Sequence, residues 1–197
     1  MIAYQKERLE NAISFFARKI QEIAHKPAYQ TYIYKYLALF DFRMLKKRGT
    51  PALGIDYDAF EKGPVPKDLY DNIDILESKY FKVNIDNDGN YYFESTQNPD
   101  LDYFSPSEIT TMTEIVNQFI RQGMTTREVI EATHQEIKAW QKAWKNRGDK
   151  GRVRMKYEDS FENIANKDTK NITPEEEAFL IYNGFQKLLA DASRNGI

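Results

Sequence analysis

Apolar residues in the first part of the chain recur at helical spacing. Leu9, Ile13, Phe16, Ile20 and Ile23 step by three and four, which predicts a helix over 5–24 with one apolar stripe. Pro27 interrupts it. A second helix is predicted over 30–47. It is apolar nearly all round between Tyr32 and Phe42, the mark of a buried central helix. Its basic last turn suits the negative helix end, Gly49 fits the C′ position, and Pro51 follows as a stop. The pattern then turns extended over 55–60 and meets Gly63-Pro64-Val65-Pro66, read as a rigid extended turn because two prolines flank one valine. A third helix is expected over 66–79, with Leu69, Ile73 and Leu76 inward and an acidic outer face of Asp68, Asp71, Asp74 and Glu77.

Residues 80–95 alternate as a hairpin around an Asp/Asn/Gly turn. Ser105 with Glu108 forms a capping box for a fourth helix running to about Arg121, where Gly123 ends it. Thr125 with Glu128 starts a fifth, and Thr133 with Glu136 reads as a third capping box opening a sixth that carries Trp140 and Trp144. A last helix starts at Thr173-Pro174, with Phe179, Phe185, Leu188 and Leu189 as its apolar stripe. There is no repeat and no low-complexity tract. The fold class expected is α+β, a mostly helical single domain with a small antiparallel sheet built from the 55–60 strand and the 80–95 hairpin. The division expected is a domain over 1–150 and a helical appendage over 151–197 packed on it.

The 197 residues suffice for one core without staples, and 41% hydrophobic content is too rich for a disordered chain. The absence of cysteine removes disulfides, thiolate metal sites and cysteine nucleophiles, and two histidines are too few for a multi-histidine zinc site. The first residues are amphipathic and charged, unlike a signal peptide, and no apolar run approaches the ~18 residues of a membrane span. The reading is a soluble, cytoplasmic protein that needs no cofactor and no metal. The net charge of −2 hides an asymmetry. Residues 1–55 are net basic, 56–102 strongly acidic, and 138–156 hold eight cations against Asp149 alone. Either these segments face a charged partner or they neutralise one another in the fold. The basic candidates are Arg43, Lys46, Lys47 and Arg48, and Lys142, Lys145, Arg147, Arg152 and Arg154.

Candidate chemistry is sparse. Residues 84–89 match the first half of a calcium loop, but the twelfth position is Ser95 instead of the required bidentate Glu. The segment therefore reads as a hairpin turn. His134-Gln135-Glu136 has the His-x-Glu spacing of zinc deaminases without the cysteines such a site needs. His134 beside Glu136 or Glu131 has the type of a general base, against the stronger reading of a hydrogen-bonded structural histidine. No phosphate loop, dinucleotide fingerprint or nucleophile elbow occurs. The second helix, third helix and hairpin together suggest a winged-helix layout and hence DNA. The acidic face of the would-be recognition helix argues against that.

Residues 36–70 carry a run of more specific elements: Phe40-Asp41-Phe42, Gly49-Thr50-Pro51, Tyr57-Asp58-Ala59, Gly63-Pro64-Val65-Pro66 and Leu69-Tyr70. Phe104-Ser105 opens a helix further on, and His134 stands six residues before Trp140. This series resembles the Panacea antitoxin domain, also called SocA-like, over about residues 30–145. Thr133 stands where the family usually has serine before the histidine. The resemblance implies a bacterial antitoxin, often of prophages, that binds and neutralises a toxin protein encoded beside it, by occlusion or conformational trapping. It implies no enzymatic activity. The alternatives carried with it are a DNA-associated regulator and a proteolytic adaptor that delivers its partner to a AAA+ protease. The residues it singles out are Asp41, Gly63, Pro64, Val65, Pro66, Tyr70, His134 and Trp140. For these a structural role is favoured over direct contact, because residues that shape a loop are usually scaffold.

Overall fold

A computed structural model describes residues 2–194. In chain order its elements are helix α1 (Gln5–Lys19), strand β1 (Ala28–Tyr29), α2 (Gln30–Arg48), β2 (Tyr57–Phe60) and β3 (Gly63–Pro66). Then come α3 (Lys67–Asp71), β4 (Phe81–Ile85), β5 (Tyr91–Ser95), α4 (Pro106–Ile115) and α5 (Thr126–Glu136). The last are α6 (Lys138–Lys145), β6 (Val153–Arg154) and α7 (Pro174–Arg194). Helices α1 and α4 each run on into a π-helical turn, Ile20–Ala24 and Val116–Ile120.

Helix α2 is the axis of the molecule. Its all-round apolar sequence is buried because α1, α4, α5, α7 and β3 surround it. Tyr36, Leu37 and Phe40 on it are almost wholly enclosed, and each such side chain contributes about 1.5–3 kcal/mol by leaving water. Phe16 of α1 packs edge-on to Phe40 and against Tyr36, which in turn meets Phe119. The capping boxes at Ser105 and Thr125 form as the sequence predicts: the Ser105 and Thr125 N–H groups donate to Glu108 and Glu128 at 2.8 and 2.7 Å.

The α+β class holds, but the strands fall into two sheets instead of one. β1, β5 and β4 form an antiparallel sheet under α1, whereas β3, β2 and β6 form another beside α5 and α6. The 55–60 segment therefore does not join the 80–95 hairpin. Its partner is the Gly-Pro-Val-Pro run, which is a true strand and not only a turn, with Tyr57 opposite Pro66 and Phe60 opposite Gly63. Proline φ is compatible with a strand, and the pleat resolves the missing donors. Lys67 N–H bonds Asp56 O, so alternation places the nitrogens of Pro64 and Pro66 on the edge away from β2.

Four further expectations are corrected. The third helix does not span 66–79; α3 is five residues, followed by a 3₁₀ turn at Ile73–Ile75 and extended backbone at Leu76. The Asn72 amide bonds the Asp68 carbonyl, and this Asp/Asn-rich, β-branched stretch competes with the helical ladder. With so short a helix, and with the hairpin paired to β1, the winged-helix layout is absent. The third capping box does not form: α5 continues to Glu136, and the Thr133 hydroxyl donates back to Ile130 O at 2.7 Å. In α7, Phe179 is buried, but Phe185, Leu188 and Leu189 are exposed and do not line the core.

Residues 151–194 are tied to the rest by strand pairing, hydrogen bonds, ion pairs and helix packing. β6 pairs with β2, the Tyr157 hydroxyl reaches Asp41, Lys142 pairs with Asp159, and α7 packs on α2. Residues 195–197 of the expected C-terminal appendage lie outside the described residues.

Candidate functional site

Two buried polar nodes hold most of the singled-out residues. The first is Asp41, at the middle of α2 and fully enclosed. One carboxylate oxygen accepts from the N–H groups of Leu53 and Gly54 at 2.5 and 3.3 Å. The other accepts from the hydroxyls of Tyr57 and Tyr157 at 3.1 and 3.0 Å. Tyr157 also bonds Ile55 O at 2.7 Å. Burial pushes the Asp41 pKa up to about 6, although all four hydrogen bonds pull the other way. The node fixes the chain after α2, anchors β2 and ties down a segment 116 residues later.

The second node surrounds Lys35, one and a half turns earlier on α2. Its ammonium is buried and donates to the Pro64 carbonyl at 2.8 Å. Burial pulls its pKa down to about 7. Gly63 begins β3 with φ +97°, and a Cβ there would lie 2.8 Å from the Thr133 hydroxyl and 3.1 Å from Lys35 Cε. Only glycine provides both that conformation and that clearance. His134, in the last turn of α5, stacks flat on Trp140 of α6, with ring centroids 3.8 Å apart. Trp140 donates its indole N–H to Phe60 O at 2.9 Å. Pro64, Val65 and Pro66 are buried, and Tyr70 leans on Phe60 while remaining 42% exposed.

These bonds tie distant segments of the chain together. Burial lowers the pKa of His134, and its Nε2 is enclosed without a hydrogen-bond partner. His134 is hydrogen-bonded to the Glu61 backbone and also stacks on Trp140. No serine or carboxylate is hydrogen-bonded to Nε2. Among the described residues no three His, Asp or Glu side chains cluster as metal ligands. In the 86–90 turn, the Asp86 carboxylate accepts the Asp88 and Asn90 N–H groups at 2.9 Å, an Asx turn that closes the hairpin.

The basic candidates divide into paired and unpaired. Arg43 bonds Glu136 at 2.7 Å and lies over the Phe119 ring. Lys47 pairs with Glu114, Lys142 with Asp159, and Arg154 with Asp56. Arg152 meets Asp71 at 2.8 Å and Asp58 at 3.5 Å. Arg48 and Arg8 share the buried Glu108 carboxylate at 2.7 and 2.5 Å. Burial pushes Glu108 up, but the Ser105 N–H and the two arginines outweigh it and leave its pKa lowered. Arg147 covers Trp144 at 4.0 Å. Lys46 and Lys145 are exposed and have no ion-pair partner among the described residues.

Sequence reasoning passed over Lys35, Arg8 and Tyr157, and named Tyr57, Arg48 and Glu108 only as a motif, a basic and a capping residue. A lone lysine inside an apolar run is a signal that was available for the first. The others depend on contacts between distant segments.

Residues 33–141, more than half of the chain, match the family model described as Antitoxin SocA-like, Panacea domain. No curated protein and no solved structure matches the chain.

Proposed function

The chain belongs to the SocA-like Panacea antitoxin family, and on that premise we propose that it neutralises one cognate toxin by binding it directly. The family match over residues 33–141 is the observation that carries this reading. The toxin is a protein encoded beside it in a bacterial or prophage operon, and the complex forms in the cytoplasm. Neutralisation proceeds by occluding the toxin or trapping an inactive conformation, with no catalytic step.

The burial of Asp41, Gly63, Pro64, Val65, Pro66 and Trp140 supports a scaffold role for the motif residues. Toxin contacts then belong to exposed groups. Lys46, Lys145 and the partly exposed Arg147–Trp144 pair are the proposed charged and aromatic contacts. The proposed division is a toxin-binding domain over 1–150 with residues 151–197 as an appendage that braces it.

The test is expression of the neighbouring open reading frame under tight control, with and without this protein. Growth arrest, rescue by this protein and co-purification of the two are expected. A harmless neighbour, or rescue without a complex, would overturn direct neutralisation.

A further inference from the structure

Five of the nine large hydrophobic residues exposed among the described residues lie on one helix, α7: Leu180, Ile181, Phe185, Leu188 and Leu189. Such a concentration marks a surface that is covered in the working molecule. The first half of α7 is anchored. Glu176 bonds Lys167 and the Thr173 N–H, Phe179 packs on Phe161 at 4.7 Å, and the Glu175 backbone abuts Gly49. The second half stands over open space. Tyr182 and Gln186 border a cleft of about 390 Å³ beside Tyr57 and Tyr157. They border a second, of about 610 Å³, on the side of Leu9 and Leu69. The outward face is the more apolar one: Ile181, Phe185 and Leu188 are 57%, 62% and 67% exposed.

The spacing of this face indicates what covers it. Its members fall in three couples, 180/181, 184/185 and 188/189, each four residues from the next. That set maps onto itself when the helix is reversed about the point between Gly184 and Phe185. A two-fold axis there sets Ile181 against Leu188 of the second copy and Leu180 against Leu189. It also sets Phe185 over Gly184, whose Cβ position has nothing within 4 Å. Residues 178–186 carry no charge. In this register Glu177 faces Ala192, Lys187 faces Tyr182 and Asp191 faces Ala178, so no like charges oppose. A face built only for a different protein needs no such symmetry.

We propose that two copies of this chain associate through an antiparallel pairing of their α7 helices about an axis between Gly184 and Phe185. The interface is isologous and apolar, and the association does not depend on the toxin.

Sedimentation equilibrium of the full chain over a wide concentration range tests it. A monomer–dimer equilibrium is expected, and Ile181→Glu shifts its midpoint upward by about tenfold or more while leaving the thermal melt intact. The cysteine-free sequence permits a geometric check. Gly184→Cys places the thiol about one residue rise from its counterpart, and a disulfide-linked dimer forms on mild oxidation. Glu177→Cys places the two thiols about 22 Å apart along the helix axis, and no cross-link forms. Cross-linking at both positions would indicate a parallel pair and overturn the proposal. So would a chain that is monomeric at all concentrations, or a dimer indifferent to Ile181→Glu. If the chain alone is monomeric and Ile181→Glu abolishes the toxin complex, the face belongs to the toxin and the dimer is wrong.

Discussion

Asp41 is an enclosed carboxylate held by four neutral donors, with no cation bonded to it among the described residues. Its pKa is raised by burial to about 6 from 3.8. The sign follows from proton counts. Between these values the folded protein keeps a proton that the unfolded chain has released, so the stability this group contributes is full below pH 4 and lost as pH rises through 6. Asp41→Asn stays neutral throughout. Wild type should therefore lose about 3 kcal/mol relative to the Asn variant between pH 4 and 7, in paired denaturant titrations. A pH-independent difference would contradict the account. Asp41→Ala strands two tyrosine hydroxyls and two N–H groups and should cost about 3 kcal/mol or more at any pH. Lys35 has the opposite sign. Its pKa is lowered from 10.5 to about 7, so its contribution is full above the unfolded value and lost as pH falls through 7. At pH 6 the folded protein carries a buried ammonium facing one carbonyl. Lys35→Met should then unfold at higher denaturant concentration than wild type, an advantage that disappears by about pH 10. A Met variant less stable at pH 6 would show that the Pro64 bond outweighs the buried charge.

Helix α7 meets the end of α2 at Gly49, which has φ +76° and lies so close that a Cβ would come within 2.0 Å of Glu175 O. Gly49→Ala should displace α7 as well as strain the cap, at a cost of about 2 kcal/mol or more. Limited proteolysis should then cut first within 160–175 while the remainder stays intact. Uniform digestion of the whole variant would show that α7 is not a separable element. The same junction shows what the sequence disclosed. The Gly49 cap, the α1 and α2 stripes, the hairpin and two capping boxes were legible because each is written in residues a turn or two apart. The short α3 was not, because side-chain competition at Asn72 weighs against a periodicity that pointed to helix. Thr133 carried a correct cap signature, but burial against Gly63 and back-bonding to Ile130 placed it inside a helix. For Gly-Pro-Val-Pro the rigid extended backbone was visible, whereas its partner strand was not. The candidate site was legible as a set of residue types. Its geometry was not, since Tyr157 reaches Asp41 across 116 positions and Trp140 reaches Phe60 across 80.

Over the whole molecule, the charge asymmetry of the sequence is largely cancelled by folding. The acidic middle supplies Asp56, Asp58 and Asp71 to Arg154 and Arg152 of the basic stretch. The cations near the end of α2 find Glu108, Glu114 and Glu136. Pairs as exposed as Arg152–Asp71 contribute little to stability, because water and salt screen them. Their larger consequence is on the field, because a cation already paired offers little to a phosphate. DNA binding driven by counterion release needs several free cations on one face, and each phosphate contact adds about 0.9 to the salt slope of log K. Of the basic candidates, only Lys46, Lys145 and Arg147 have no ion-pair partner among the described residues, and Lys46 and Lys145 belong to different helices. Binding of a mixed-sequence duplex through these two stretches in low salt should therefore be weak, with a slope of about two or below. Asp71→Asn together with Asp58→Asn releases Arg152 and Lys67 and should steepen that slope by about one to two. The thermal melt should barely move. A wild-type slope of several, or tight binding that survives 200 mM salt, would mean that the ion pairs open on nucleic acid. The DNA-associated alternative to toxin binding would then take precedence.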